Sequence, residues 1–98
     1  MVHNLHMVQF DKINEPGFGF DWAHELNTVF KTKITSGDHF ALIQYEKLGA
    51  AIKLAIPTPD HYYPLIYVLG LQQKDERVEF FNDYALGGSL TMTSVKIG

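Results

Sequence analysis

Hydrophobic and polar positions along the chain fall into a helical regime followed by a strand-like one. Trp22, Leu26, Val29 and Phe30 recur at i, i+4, i+7 and i+8, which puts them on one face of a helix and predicts that this face packs into a core. Asp21, directly ahead of them, is placed to cap that helix. Upstream, the stretch to about Phe10 is short and apolar-leaning, either a strand or the entry to a loop. Asn14-Glu15-Pro16-Gly17-Phe18-Gly19 is turn chemistry, because proline fixes φ and glycine permits positive φ.

Thr35-Ser36-Gly37-Asp38 punctuates the chain again. Asp38 can cap a second helix containing Phe40, Ile43 and Lys47, with Gly49 suited to the position just past its end. Ala50 to Ile56 continues small and apolar as a further helical turn, and Pro57 ends it by pushing its predecessor out of the α region. Thr58-Pro59-Asp60-His61 reads as the start of another helix. Thr58 is an N-cap, Pro59 loses nothing at the first helical position, and Asp60 suits the positive end of the dipole. Tyr62, Leu65, Ile66 and Leu69 form its apolar face and Gly70 stops it. Pro64 either kinks this helix or confines its regular part to the residues after it.

Beyond the charged link Gln72–Arg77 the period changes. Val78–Phe81 and Ser89–Ile97 are rich in β-branched and aromatic residues, with Gly87-Gly88 between them, and predict two paired strands. The fold class is therefore α/β in the mixed sense, helices first and a C-terminal β-hairpin last. Whether those strands form a sheet of their own or complete a larger one is left open by the pattern.

Composition narrows the picture. A chain of 98 residues has room for one small domain, spanning 1–98, with a thinner margin of burial than a longer chain. Its 46% hydrophobic and 13% aromatic content argues against disorder. A formal charge of -3, with eight scattered Lys and Arg, gives no electrostatic reason to expect a nucleic-acid partner. The absence of cysteine removes disulfides, thiolate metal sites and cysteine nucleophiles. No apolar run approaches the length of a membrane span, and the first residues lack the basic and apolar stretches of a signal peptide. A soluble, cytoplasmic protein is expected.

Five histidines are the chemically notable feature. His3 and His6 are three apart, but no helical pattern puts them on one face. His24 lies off the apolar stripe and His39 beside a cap. For His6, His24 and His39 the ordinary reading is a solvated or hydrogen-bonded surface residue. His61 differs, because the first turn of a helix disfavours an imidazolium and a metal ligand must be neutral. No zincin motif, P-loop, Rossmann fingerprint or nucleophile elbow is present. Gly87-Gly88-Ser89 is too generic for a phosphate cradle, and its role is to turn a hairpin or to let backbone pass close. Tyr62, Tyr63 and Tyr84 could line a pocket for an aromatic ring or sit at the edge of a core.

Three segments then carry a resemblance. Val2-His3-Asn4-Leu5 resembles the segment of DOPA-type class III extradiol dioxygenases that contributes an active-site histidine. Pro57-Thr58-Pro59-Asp60-His61-Tyr62-Tyr63-Pro64-Leu65 closely resembles the family's Pro-Thr-Pro-acid-His-aromatic-x-Pro-Leu signature and is the specific motif. Tyr84 with Gly88-Ser89-Leu90-Thr91-Met92 resembles the closing Tyr-x-x-Gly-Ser-x-x-Met pattern, with one extra residue between. The likeness covers essentially the whole chain and implies the second half of that fold.

It further implies a non-haem Fe(II), with Zn²⁺ an alternative, that presents open positions to a catechol-type aromatic substrate and to O₂. By resemblance His61 is a metal-site histidine, His3 is the acid/base or a further ligand, and Tyr84 contacts substrate. No organic cofactor is implied. The family's other metal-binding histidines belong to an amino-terminal part that this chain lacks, so an enzyme fragment with little activity of its own is expected. A homo-oligomer or a complementing N-terminal chain would then be its partner. Two rival readings are a non-catalytic oligomerising domain that retains the fold and a small metal-binding module using several of the histidines.

Overall fold

The computed structural model covers Met1–Gly98. The longest amphipathic stretch forms its longest helix, α1 (Asp21–Thr35), and the core is built around it. Ala23, Leu26, Asn27, Phe30 and Ile34 form the buried stripe, while Trp22 and Val29 lie on its flank. The expected cap is displaced by one residue. Phe20 is the extended N-cap and offers no side-chain bond, so Asp21 sits inside the first turn. Tertiary pairing sets this boundary, since the Phe20 amide donates to the Gly88 carbonyl at 2.8 Å.

The next segment is broken into short pieces. Asp38 caps α2 (His39–Ile43) through the Ala41 amide, as its position predicts. The helix does not run on to Lys47, because Gln44 leaves helical geometry and a 3₁₀ turn over Tyr45–Lys47 follows. Ala50–Ile56 yields the short α3 (Ile52–Ala55). The helix expected from Thr58 is likewise split into a 3₁₀ turn at Pro59–His61 and then α4 (Tyr63–Gly70). Pro64 falls in the first turn of α4, where its missing N–H costs nothing. Thr58 is extended and makes no side-chain cap bond, which corrects the capping role expected of it.

Val2, Leu26, Phe30, Ile34, Leu42, Ile52 and Leu69 fill one apolar core with Tyr62. The Tyr62 hydroxyl reaches the Leu42 carbonyl at 2.5 Å, tying the turn before α4 to α2.

The strands form one long, interrupted hairpin. β1 (Val78–Phe81) pairs antiparallel with β4 (Ser94–Ile97), and β2 (Ala85–Leu86) with β3 (Leu90–Thr91). The predicted run Ser89–Ile97 is thus divided at Met92-Thr93. Opposite that gap the first arm carries three residues, Asn82-Asp83-Tyr84, against two, and Asn82 takes up the excess at φ 51. At the tip, Gly88 lies at φ +91 and packs so close to Phe20 that a Cβ added there would stand 2.7 Å from its ring. The first residues lie along the other side of β3: the Thr91 amide donates to Val2, and the Asn4 amide to Ser89. No helix is long and apolar enough to cross a membrane.

Candidate active site

His3 is fixed through its backbone. Its amide donates to the Ala55 carbonyl at 2.9 Å, and it bridges Leu90 across an antiparallel step, so it lies between the end of α3 and the tip of the hairpin. Asn4, next along, is buried. Its side-chain amide donates to Leu54 at 2.8 Å, its Oδ1 accepts from the His6 amide, and its carbonyl accepts from Ser89 Oγ at 2.6 Å. Asn4 therefore locks the backbone that carries His3.

His61 arrives from the opposite direction, at the end of the 3₁₀ turn that Pro59 initiates. Tyr62, immediately after it, is buried, which leaves the His61 ring to face outward. The two imidazoles meet face to face, with ring centroids 4.1 Å apart and planes inclined by 28°. Burial, then the neighbouring His61 ring and the amino terminus, hold the His3 imidazole below its ordinary 6.5. The lowering disfavours an imidazolium at His3 and suits its ring to accept a proton or bind a metal.

A cleft of about 260 Å³ opens beside His61, between α4 and β4, lined by Met1, Leu65, Val68, Thr93 and Val95 among others. Tyr84 is half exposed and does not line this cleft. Tyr62 lines it but turns its hydroxyl inward, and burial pushes that phenol well above the ordinary range. Tyr63 is exposed, on the outer side of α4 with Tyr67 and Leu71.

The remaining histidines are not gathered here. His6 is exposed, and His24 packs over Gly19, where a side chain would meet its Nε2 at 2.7 Å. His39 turns an unpartnered Nε2 toward a small cavity near Ile43 and Leu69. No group of three or more His, Cys, Asp or Glu sits together. Pattern reasoning missed the supporting polar chain from Asn27 through Thr91 to the backbone of Val2. An asparagine within the apolar stripe of α1 was its only signal.

No family model matches the chain. It is 34% identical over 102 residues to the 4,5-DOPA dioxygenase extradiol of Escherichia coli (strain K12), a match covering 100% of this chain and 36% of the relative. Over its whole length the chain is similar to a DOPA-type extradiol dioxygenase. A protein of the same name from Beta vulgaris is 29% identical over 75 residues, which covers 76% of this chain and 28% of that one. The crystal structure of an uncharacterised Escherichia coli K12 protein superposes with a TM-score of 0.84 at 33% identity, over 99% of this chain and 39% of that one. The chain thus spans about a third of the length of the curated relatives it matches, consistent with a carboxy-terminal portion of an extradiol dioxygenase.

Proposed function

We propose that this chain supplies part of the active site of a catechol-cleaving extradiol dioxygenase, with His61 as a metal-site histidine. His3 is its acid/base or a further ligand. The observation that carries this reading is the face-to-face meeting of His3 and His61, brought together from distant parts of the sequence. A non-haem Fe(II), or Zn²⁺ in its place, would be held by His61 with or without His3, and when bound it offers open positions to a catechol-type substrate and O₂.

The donor set fits that metal only in part. Two imidazoles are present where Fe(II) or Zn²⁺ takes three or four protein ligands, and no third donor stands with them. The missing ligands belong to the part of the fold outside this chain, brought by a complementing amino-terminal portion or by assembly. His3, neutral and half buried, is suited to take a proton from a bound catechol hydroxyl and to return it as the ring opens. Tyr84, with its ring half in solvent, is assigned to the aromatic substrate. A cysteine-free chain is compatible with the reducing cytoplasm that belongs to this reading.

A second reading, an associating domain without chemistry, draws on the exposed apolar residues Tyr63, Tyr67, Val68 and Leu71 of α4 and its end. Calorimetric titration of the chain with Zn²⁺ separates the two. One weak site is expected, abolished in His61→Ala and weakened in His3→Ala. Binding indifferent to His61→Ala would leave the associating domain standing. Iron-loaded chain on its own should show little oxygen uptake with a catechol, and robust uptake would mean the site is complete without further ligands.

A further inference from the structure

β4 has one neighbour, β1, and its other edge is open. The Gly98 amide donates to the Arg77 carbonyl at 3.0 Å, which sets the alternation of the ladder. Glu79 with Lys96 and Phe81 with Ser94 are then the bonded pairs, and the N–H and C=O groups of Val95 and Ile97 point away from β1. No other backbone bond takes them up.

The flank onto which they open is the one that the first residues already occupy higher up. Val2–Asn4 runs antiparallel along Ser89–Thr91, and the Met1 nitrogen donates to Thr91 at 3.1 Å and to Thr93 at 3.4 Å. That line, carried on past Met1, runs beside Ser94–Ile97. Its floor is the cleft between β4 and α4, with Leu65, Val68 and Val95 as apolar walls and His61 at its side. An unpaired strand edge next to an apolar wall is what β-strand addition requires, main-chain bonds for affinity and alternate side chains for fit.

We propose that the outer edge of β4, with this cleft, is an acceptor slot for one extended strand of the dioxygenase fold that lies outside the chain. The occupant runs antiparallel to β4, in line with Met1–Asn4, and turns alternate apolar, β-branched side chains toward Leu65 and Val68. It is chosen over a second copy because the solved relative has this chain's fold as 39% of its own, leaving a larger body that must meet it. Continuity with Val2–Asn4 gives that body a register as well as a surface. This inference rests on reading the chain as one portion of a dioxygenase.

The test joins to Met1 a strand-length segment, the one that precedes the matched stretch in the Escherichia coli 4,5-DOPA dioxygenase extradiol. Amide hydrogen exchange is then followed by NMR in the whole chain with and without it. Exchange at Val95 and Ile97 is expected to slow by about tenfold or more in the extended chain, with a higher Tm. Val95→Pro removes one outward N–H without touching the β1 ladder, so it should cancel both the gain at Ile97 and the rise in Tm. Ser94 and Lys96 should stay protected in that variant, showing that the hairpin is intact. Val68→Lys, at an exposed wall of the cleft, should weaken the protection too.

Unchanged exchange at Val95 and Ile97 in the extended chain overturns the slot. So does concentration-dependent protection of the same amides in the unextended chain, which would give the edge to a second copy. The metal reading fails separately: His61→Ala in the extended chain should remove Zn²⁺ binding and leave the amide protection in place.

Discussion

Among single residues, Asp83 shows how a polar side chain supports the His3 position without approaching it. Its Oδ1 accepts from Thr93 Oγ1 at 2.9 Å and from the Asn27 side chain at 3.2 Å, and its Oδ2 pairs with the Lys31 ammonium. Asn27 in turn accepts from Thr91, whose hydroxyl oxygen accepts the Val2 amide. The Lys31 bond holds the Asp83 carboxyl below its ordinary 3.8; burial opposes it, and the Thr93 bond, the Lys31 charge and the Asn27 bond add to the lowering. A carboxyl depressed in the folded state adds stability that is present above its unfolded value and is lost as pH falls through the folded one. Asp83→Asn should therefore cost about 1 kcal/mol at pH 7, a figure kept low because the side chain is 38% exposed and screened by water. Urea unfolding at pH 7 and again near pH 3 checks this: the gap between wild type and variant should narrow in acid, and an equal gap at both would remove the charge from the explanation. Of this network the sequence marks only Asn27, a polar residue within the apolar stripe of α1. Asp83 looks like one more charge in a link, and only the fold shows it opposite a buried asparagine.

For the elements, what could be read depended on whether the local signal or a distant contact decided. The body of α1, the Asp38 cap and the two outer strands follow from periodicity, capping chemistry and β-branched content, and all three stand. The start of α1 does not, because the amide of Phe20 is claimed by Gly88 from the far end of the chain. The extra residue at Asn82–Tyr84 also had no local mark beyond an asparagine that tolerates positive φ. The same Gly88 contact yields a prediction. A Cβ there would stand 2.7 Å from the Phe20 ring at φ +91, whereas at Gly37, at φ +73, nothing lies within 4 Å. Gly37→Ala should cost only the conformational strain, about 1 kcal/mol, while Gly88→Ala should cost about 2–4 kcal/mol from strain and overpacking together. Thermal unfolding of both variants measures the difference, and equal losses would show that the hairpin tip yields to a side chain.

The whole molecule has a core of its own, and on the proposed reading only two of the donors a metal needs. The motif around His61 marked the family from sequence, and the known relatives agree; that His3 lies against His61 needed the fold, because a backbone bridge to Leu90 and a bond to Ala55 put it there. A protein whose metal site is complete is stabilised by that metal by RT ln(1 + [L]/Kd), rising with the logarithm of affinity, to about 4 kcal/mol when the ligand stands at about a thousand times its Kd. On the proposed reading two imidazoles alone, short of the usual three or four ligands, would bind too weakly to reach that regime at micromolar metal. At concentrations near the Kd of a two-histidine site the same relation gives only about 0.4 kcal/mol. The melting temperature of this chain should accordingly shift by only about 2–3 °C between chelator and micromolar Zn²⁺ or Fe(II), since 1 kcal/mol moves a domain of this size by roughly 4–8 °C. Differential scanning calorimetry in the two conditions checks the expectation. A rise of ten degrees would mean that further donors, from His6, His24 or His39 or from a second copy, complete the site in solution. The chain would then be a folded third that holds two histidines without needing the rest of the enzyme to finish their metal site.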